Sequence, residues 1–128
     1  MLQEISISKV ATHLLVTGWP DDTLGDIYEK LCKHNSVVVV DTVGHFRGII
    51  SRKDAVKQML GRPDWKDVPV TELMTTKVLY VPNHVSLEKA AKTMLEADIH
   101  QLVVTGPPEG GRVAIGILTL EDVIKNAR

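Results

Sequence analysis

With 128 residues, 44% of them hydrophobic, and a formal net charge of −1, the chain is long enough to bury a core but carries no charge surplus. Residues 1–64 hold eight basic and eight acidic side chains and residues 65–128 hold seven and eight, so neither half offers the basic footprint of a nucleic-acid or anionic-membrane binder. Five scattered aromatic residues cannot form a base-stacking platform, and the single cysteine, Cys32, excludes an internal disulfide and speaks against a metal site.

The first predicted elements are a short helix over Ser8–Ala11 and a strand over Leu14–Val16. Leu24, Ile27, Tyr28, Leu31 and Cys32 then recur at helical spacing and predict an amphipathic helix over Thr23–Lys33. Strands are predicted over Val37–Asp41 and Phe46–Ser51, joined by the turn residues Asp41-Thr42-Val43-Gly44, and a helix over Lys53–Leu60 follows. Gly61 and Pro63 break the helical pattern and mark residues 62–67 as a connector, with Trp65 packing beneath it.

Beyond the connector the order repeats. Ile7-Ser8-Lys9-Val10 matches Val70-Thr71-Glu72-Leu73 at a spacing of 63, and Trp19-Pro20 matches Val81-Pro82 at 62. The helical face returns as Leu87, Ala90, Ala91, Met94 and Leu95 at 63, and Val38-Val39-Val40 returns as Leu102-Val103-Val104 at 64. Gly48-Ile49-Ile50-Ser51-Arg52-Lys53-Asp54 returns as Gly116-Ile117-Leu118-Thr119-Leu120-Glu121-Asp122 at 68. The loop Gly106–Gly111 accounts for the last rise in spacing, because connections tolerate insertion better than elements do. Two copies, at 7–61 and 68–126, thus cover nearly the whole chain. A single copy is marginal in size, and two copies with this long period favour face-to-face pseudo-twofold packing over an open array.

Each duplicated motif runs a strand into a helix through a hydroxyl residue placed three positions before an aspartate. Free amides and the positive end of the helix dipole at Ser51 and Thr119 suit an anionic group. A carboxylate one turn on, at Asp54 or Asp122, can accept hydrogen bonds from two vicinal hydroxyls such as those of a ribose. The same spacing is also a helix-capping box, which needs no ligand. Both readings stand at this level, and a cap and a ligand contact do not exclude one another.

By its element order, its two Gly-apolar-apolar-[Ser/Thr]-x-x-Asp motifs and its duplication, the chain resembles the tandem CBS-domain pair, or Bateman module, over about residues 7–126. The resemblance implies an α+β fold in which two β-α-β-β-α repeats pack sheet to sheet. It also implies adenosine-containing ligands in clefts between the copies, AMP, ADP or ATP, or S-adenosylmethionine or NAD, and a homodimer that relays binding to an effector protein. Under it Asp54 and Asp122 hold the ribose, and Ser51 and Thr119 lie beside the phosphate or ribose.

His100, at a strand entrance, is implied by the same resemblance to face the ligand's phosphates, the alternative being an exposed loop histidine. Related modules tend to place an arginine next to it, where this chain has the neutral Gln101, which argues against tight triphosphate binding. In the first copy the matching residues are read as Ser36 and Val37, which are uncharged. Arg52 and Lys53 either face the ligand or are solvated first-turn side chains, and Leu120 and Glu121 replace them in the second copy, so the two sites are not equivalent. Thr75 and Thr76, and Thr12 and His13, occupy the segment that in similar modules lies along the base or phosphate. Thr76 is the functional candidate among them, and Thr12 and His13 are read as strand-entry residues. Val16, Ile50, Val78 and Leu118 are read as core.

No nucleophile with its base, metal cluster or phosphate-cradling loop stands at catalytic spacing, so an enzyme is not expected. A weaker third reading is a small hydrolase using Asp54 or Asp122 with His100. The lone cysteine fits a reducing cytoplasm, and no membrane-spanning run or signal-peptide pattern is read in the sequence. The sequence-level expectation is a regulatory adenosyl-ligand module, against a ligand-independent interaction module in which both motifs are only caps. Its effector is another chain, or these residues are a piece of a longer one.

Overall fold

The structure is a computed structural model describing residues 1–10 and 15–127. Two three-stranded sheets carry the fold. In the first, β1 (Thr17–Gly18) lies parallel to β2 (Ser36–Val40), which pairs antiparallel with β3 (Phe46–Ser51). Helix α1 (Leu24–Lys33) crosses between β1 and β2, and α2 (Arg52–Met59) follows β3 without a break. The short helix α3 (Val70–Leu73) then leads to the second sheet, in which β4 (Tyr80–Pro82) is parallel to β5 (Gln101–Thr105) and β5 antiparallel to β6 (Ala114–Thr119). Helix α4 (Leu87–Glu96) and the closing α5 (Leu120–Lys125) complete the repeat. The chain is therefore mixed α+β, as expected from its element order.

The expected strand over Leu14–Val16 forms instead at Thr17–Gly18. Ala11, Thr12, His13 and Leu14 lie outside the described residues, but the Val16 carbonyl accepts the Val38 N–H at 2.8 Å. Strand register also corrects the repeat arithmetic. Val38 pairs with Thr17 and Ile49, and Val103 pairs with Tyr80 and Ile117, so the middle strands correspond at a spacing of 65, not 64. Trp19 corresponds to Pro82 at 63, in line with its neighbours. The second copy lengthens at the end of α4, where Asp98 adopts φ 54°, and again in the hairpin through Gly106–Gly111. The counterpart of His100 is consequently Asn35, one residue before Ser36.

The repeats as spelled in sequence are not the units that pack. Contacts divide the chain into residues 15–78 in one compact unit and residues 1–10 with 79–127 in the other. In the first unit Leu24, Ile27, Leu31, Val37, Val39 and Ile50 share a core with Val68, Val70 and Leu73. In the second, Leu87, Ala90, Met94, Leu102, Val104 and Leu118 share a core with Ile7 and Val10. Backbone hydrogen bonds repeat this arrangement: the Leu24 N–H donates to Val68 and the Val70 N–H to Asp22, while the Leu87 N–H donates to Ile5 and the Ile7 N–H to Val85. Each short helical segment thus belongs to the unit formed by the other copy. Burying side chains such as Leu24 and Leu87, both 0% exposed, stabilises by about 1.5–3 kcal/mol apiece.

Trp65 is half-buried against the first core, its ring tilted at 44° to that of Tyr28 with centroids 5.4 Å apart, and the Lys66 ammonium lies 5.5 Å from its ring centroid. No helix among the described residues is long and apolar enough to cross a membrane.

Candidate functional site

Both duplicated motifs sit where a strand turns into a helix, and both form complete capping boxes. At the first, the Ser51 hydroxyl accepts the Asp54 N–H at 3.2 Å, and Asp54 Oδ2 accepts the Ser51 N–H at 2.9 Å and the Ser51 hydroxyl at 3.0 Å. Asp54 Oδ1 accepts no hydrogen bond from the described residues, so the cap occupies one carboxylate oxygen and leaves the second available to a hydroxyl donor. At the second motif the Thr119 hydroxyl accepts the Asp122 N–H at 3.2 Å and Asp122 Oδ2 accepts the Thr119 N–H at 2.8 Å. Asp122 is the more deeply placed, 7% exposed against a half-buried Asp54.

The strand entrances converge on these turns. The Leu120 N–H donates to the His100 carbonyl at 3.1 Å, which sets His100 beside the Thr119–Asp122 turn with its side chain exposed. In the other unit the Arg52 N–H donates to the Asn35 carbonyl at 3.3 Å, the matching bond. Thr75 exchanges two backbone hydrogen bonds with Ile49, at 2.9 and 3.0 Å, and so lies along the outer edge of β3, two residues before Ser51. Thr76 follows it, exposed, its carbonyl accepting the Val78 N–H at 2.9 Å. Ser51, Asp54, Lys53 and Thr76 thus gather in the unit 15–78, and Thr119, Asp122 and His100 in the other. Thr12 and His13 lie outside the described residues.

Arg52 is exposed, yet its side chain is not aimed along its own helix. Its guanidinium donates from Nε to the Leu31 carbonyl at 2.8 Å, from Nη2 to the Cys32 carbonyl at 3.2 Å and from Nη1 to Asn35 Oδ1 at 3.0 Å. It therefore caps the carboxyl end of α1, where the helix dipole is negative. Lys53 beside it is exposed as well. Ile50 and Leu118 are fully buried in the two cores, and Val16 is packed half-buried against the first. An apolar cavity of about 160 Å³ between α1 and α2 is lined by Tyr28, Leu31, Cys32, Arg52, Ala55, Val56 and Met59, and shares only Arg52 with the candidate residues. There the Tyr28 phenol is held above its ordinary pKa by its side-chain hydrogen bond to Cys32 and by repulsion from the thiolate form of that sulfur. No cluster of metal-ligating side chains occurs among the described residues.

Two features went unread in the sequence. Asn35 was hidden by the one-residue error in register. Thr23-Leu24-Gly25-Asp26 is a third hydroxyl-x-x-aspartate box, in which Asp26 Oδ2 accepts the Thr23 N–H at 2.9 Å and the Thr23 hydroxyl accepts the Asp26 N–H at 3.3 Å. The equivalent helix α4 is capped by Ser86 alone, since its third residue is Lys89.

The model of the CBS domain family matches residues 7–61 and 70–128. An uncharacterized protein of Methanopyrus kandleri is 28% identical over 129 aligned residues, covering 97% of this chain and 63% of its own length, so this chain spans less than two thirds of that relative. Among solved structures, a CBS-domain-containing protein of Agrobacterium tumefaciens is 27% identical with a TM-score of 0.72, covering 89% of each chain. The CBS domain of a bacterial CNNM/CorC-family magnesium transporter, solved in complex with ATP, aligns with a TM-score of 0.79 over 97% of this chain and 87% of its own, and at 22% identity shows a shared fold alone.

Proposed function

The chain belongs to the CBS-domain family as a tandem pair, and from that premise we propose that it is a regulatory module that binds an adenosine-containing ligand at its hydroxyl-x-x-aspartate turns. The observation that carries this reading is the half-used carboxylate of Asp54: the cap engages Oδ2, and Oδ1, which accepts no hydrogen bond from the described residues, remains to accept a ribose hydroxyl, with Lys53 and Thr76 exposed in the same unit. AMP, ADP or ATP suits the site, with S-adenosylmethionine and NAD as further adenosyl candidates. The transporter domain with the same fold was solved holding ATP, which supports a nucleotide in this architecture. His100 serves the Asp122 site in the same way. The neutral Gln101 beside His100, where related modules tend to carry an arginine, favours a monophosphate over a triphosphate. The module acts in the cytoplasm as a homodimer and passes the ligand's presence to an effector protein, without catalysing a reaction of its own.

A second reading has its own observation. The Thr23–Asp26 box has the geometry of the other two, so a cap alone explains that geometry, and the module would then act only through protein contacts.

Calorimetric titration of AMP, ATP, S-adenosylmethionine and NAD into wild type, Asp54→Ala, Asp122→Ala and the double variant separates the two. Binding of one ligand that vanishes in a single variant is the expected result, together with a ligand-dependent rise in melting temperature, because a ligand selective for the folded state must stabilise it. No heat from any of them, with the variants merely less stable, establishes the cap reading.

A further inference from the structure

We propose that Arg52 is a positioning residue that ties the state of the Asp54 site to the last turn of α1, so that ligand binding at the first motif, and not at the second, is transmitted to the α1/α2 face. This rests on the ligand reading of the Asp54 site.

Arg52 is the first residue of α2 and stands between the two halves of the Ser51–Asp54 box. A cation in a first turn is opposed by its own helix dipole, and Arg52 escapes that by reaching back to the negative end of α1. Through one backbone and three side-chain hydrogen bonds it holds Leu31, Cys32 and Asn35. Three acceptors at fixed mutual angles match the planar fork of a guanidinium, which a lysine ammonium does not reproduce. A ribose hydroxyl on Oδ1 shares the carboxylate whose Oδ2 holds the Ser51 N–H and hydroxyl, so the ligand is coupled to the first turn of α2 through one group while the cap stays in place. Arg52, one residue from Ser51, belongs to that turn, and the residues whose carbonyls it holds, Leu31 and Cys32, line the apolar groove between α1 and α2.

The second copy lacks the connection. Leu120 occupies the place of Arg52, is packed half-buried against the apolar core, and keeps only the backbone bond to His100. The two motifs are thereby distinguished by their wiring, beyond any difference in affinity.

The test is hydrogen–deuterium exchange of the 31–35 segment in wild type, Arg52→Leu, Arg52→Lys and Asp54→Ala, each with and without AMP or ATP at concentrations that calorimetry shows to be saturating for wild type. In wild type the nucleotide is expected to change exchange of these amides by about fivefold, the low end of an allosteric coupling. Arg52→Leu, the residue of the second copy, is expected to bind nucleotide but lose that change. Arg52→Lys, which keeps the charge without the fork, loses most of it and stands in if the leucine variant fails to fold. The readout is the ligand-induced difference, which a purely structural role would not move. Nucleotide binding abolished by Asp54→Ala, with the 31–35 response intact in both Arg52 variants, overturns the inference alone. Absence of nucleotide binding to wild type overturns the inference and the ligand reading together.

Discussion

At the scale of single residues, three complete capping boxes divide by surroundings. Thr23 and Asp26 cap α1 with no strand running into the helix, whereas Ser51–Asp54 and Thr119–Asp122 close a strand-to-helix turn against a strand entrance. Thr23→Ala is therefore expected to cost about 1 kcal/mol of stability, as the loss of an N-cap does, and to leave nucleotide affinity unchanged. Ser51→Ala costs a similar amount, and additionally weakens binding if the turn serves a ligand. Chemical denaturation beside calorimetry checks both, and equal effects of the two substitutions on affinity would refute the distinction. The hydroxyl-x-x-aspartate pattern is legible wherever it occurs, and that is its weakness: Thr23 shows that spacing reports a cap and leaves the ligand to context. The destination of Arg52 was illegible, because its partners Leu31 and Cys32 lie 21 and 20 residues away and meet it only through tertiary packing.

At the scale of elements, both helix faces, both hairpins and the two closing helices follow from periodicity and turn chemistry, and the sequence-level boundaries of α1 and β3 lie within a residue of those observed. What periodicity cannot supply is register. Nothing in Ala97-Asp98 announces the left-handed turn that lengthens the second copy before β5, and so the counterpart of His100 was misplaced by one residue. The glycine that opens the first motif also acquires its reason only here. A Cβ at Gly48 would come within 2.8 Å of Met74 Cγ and 2.9 Å of the Thr75 carbonyl oxygen. The Met74 side chain can turn away, but the Thr75 oxygen belongs to the backbone pair that fastens residues 74–76 to β3. Gly48→Ala is expected to cost about 1–3 kcal/mol, as overpacking does, and to loosen that segment. Faster amide exchange at Ile49 and Thr75, ahead of that in β2, would establish it, and an unchanged rate at both would show that β3 absorbs the methyl without displacing the segment.

At the scale of the whole molecule, the sequence repeat and the folded unit are offset by one short helix. Ile7 opens the first copy in sequence, yet it is 1% exposed in a core whose other members include Val81, Leu87, Met94 and Leu118. Val70 opens the second copy and is 0% exposed among Leu24, Ile27, Val37 and Ile50. The crossing is invisible to periodicity, since Ile7-Ser8-Lys9-Val10 and Val70-Thr71-Glu72-Leu73 carry the same apolar spacing and either could serve either core. It has a measurable consequence. Ile7→Ala removes buried methyl groups at a cost of about 2–5 kcal/mol, and the loss falls on a core built from β4, α4, β5 and β6. Amide exchange should accelerate there more than in residues 15–78, although Ile7 lies in the first copy; Val70→Ala should do the converse, accelerating exchange in α1, β2 and β3. If each substitution instead loosened its own copy, the exchange of segments would be wrong. If both accelerated all regions equally, the two units would open only as one cooperative body, and unit-by-unit stability would not describe this chain.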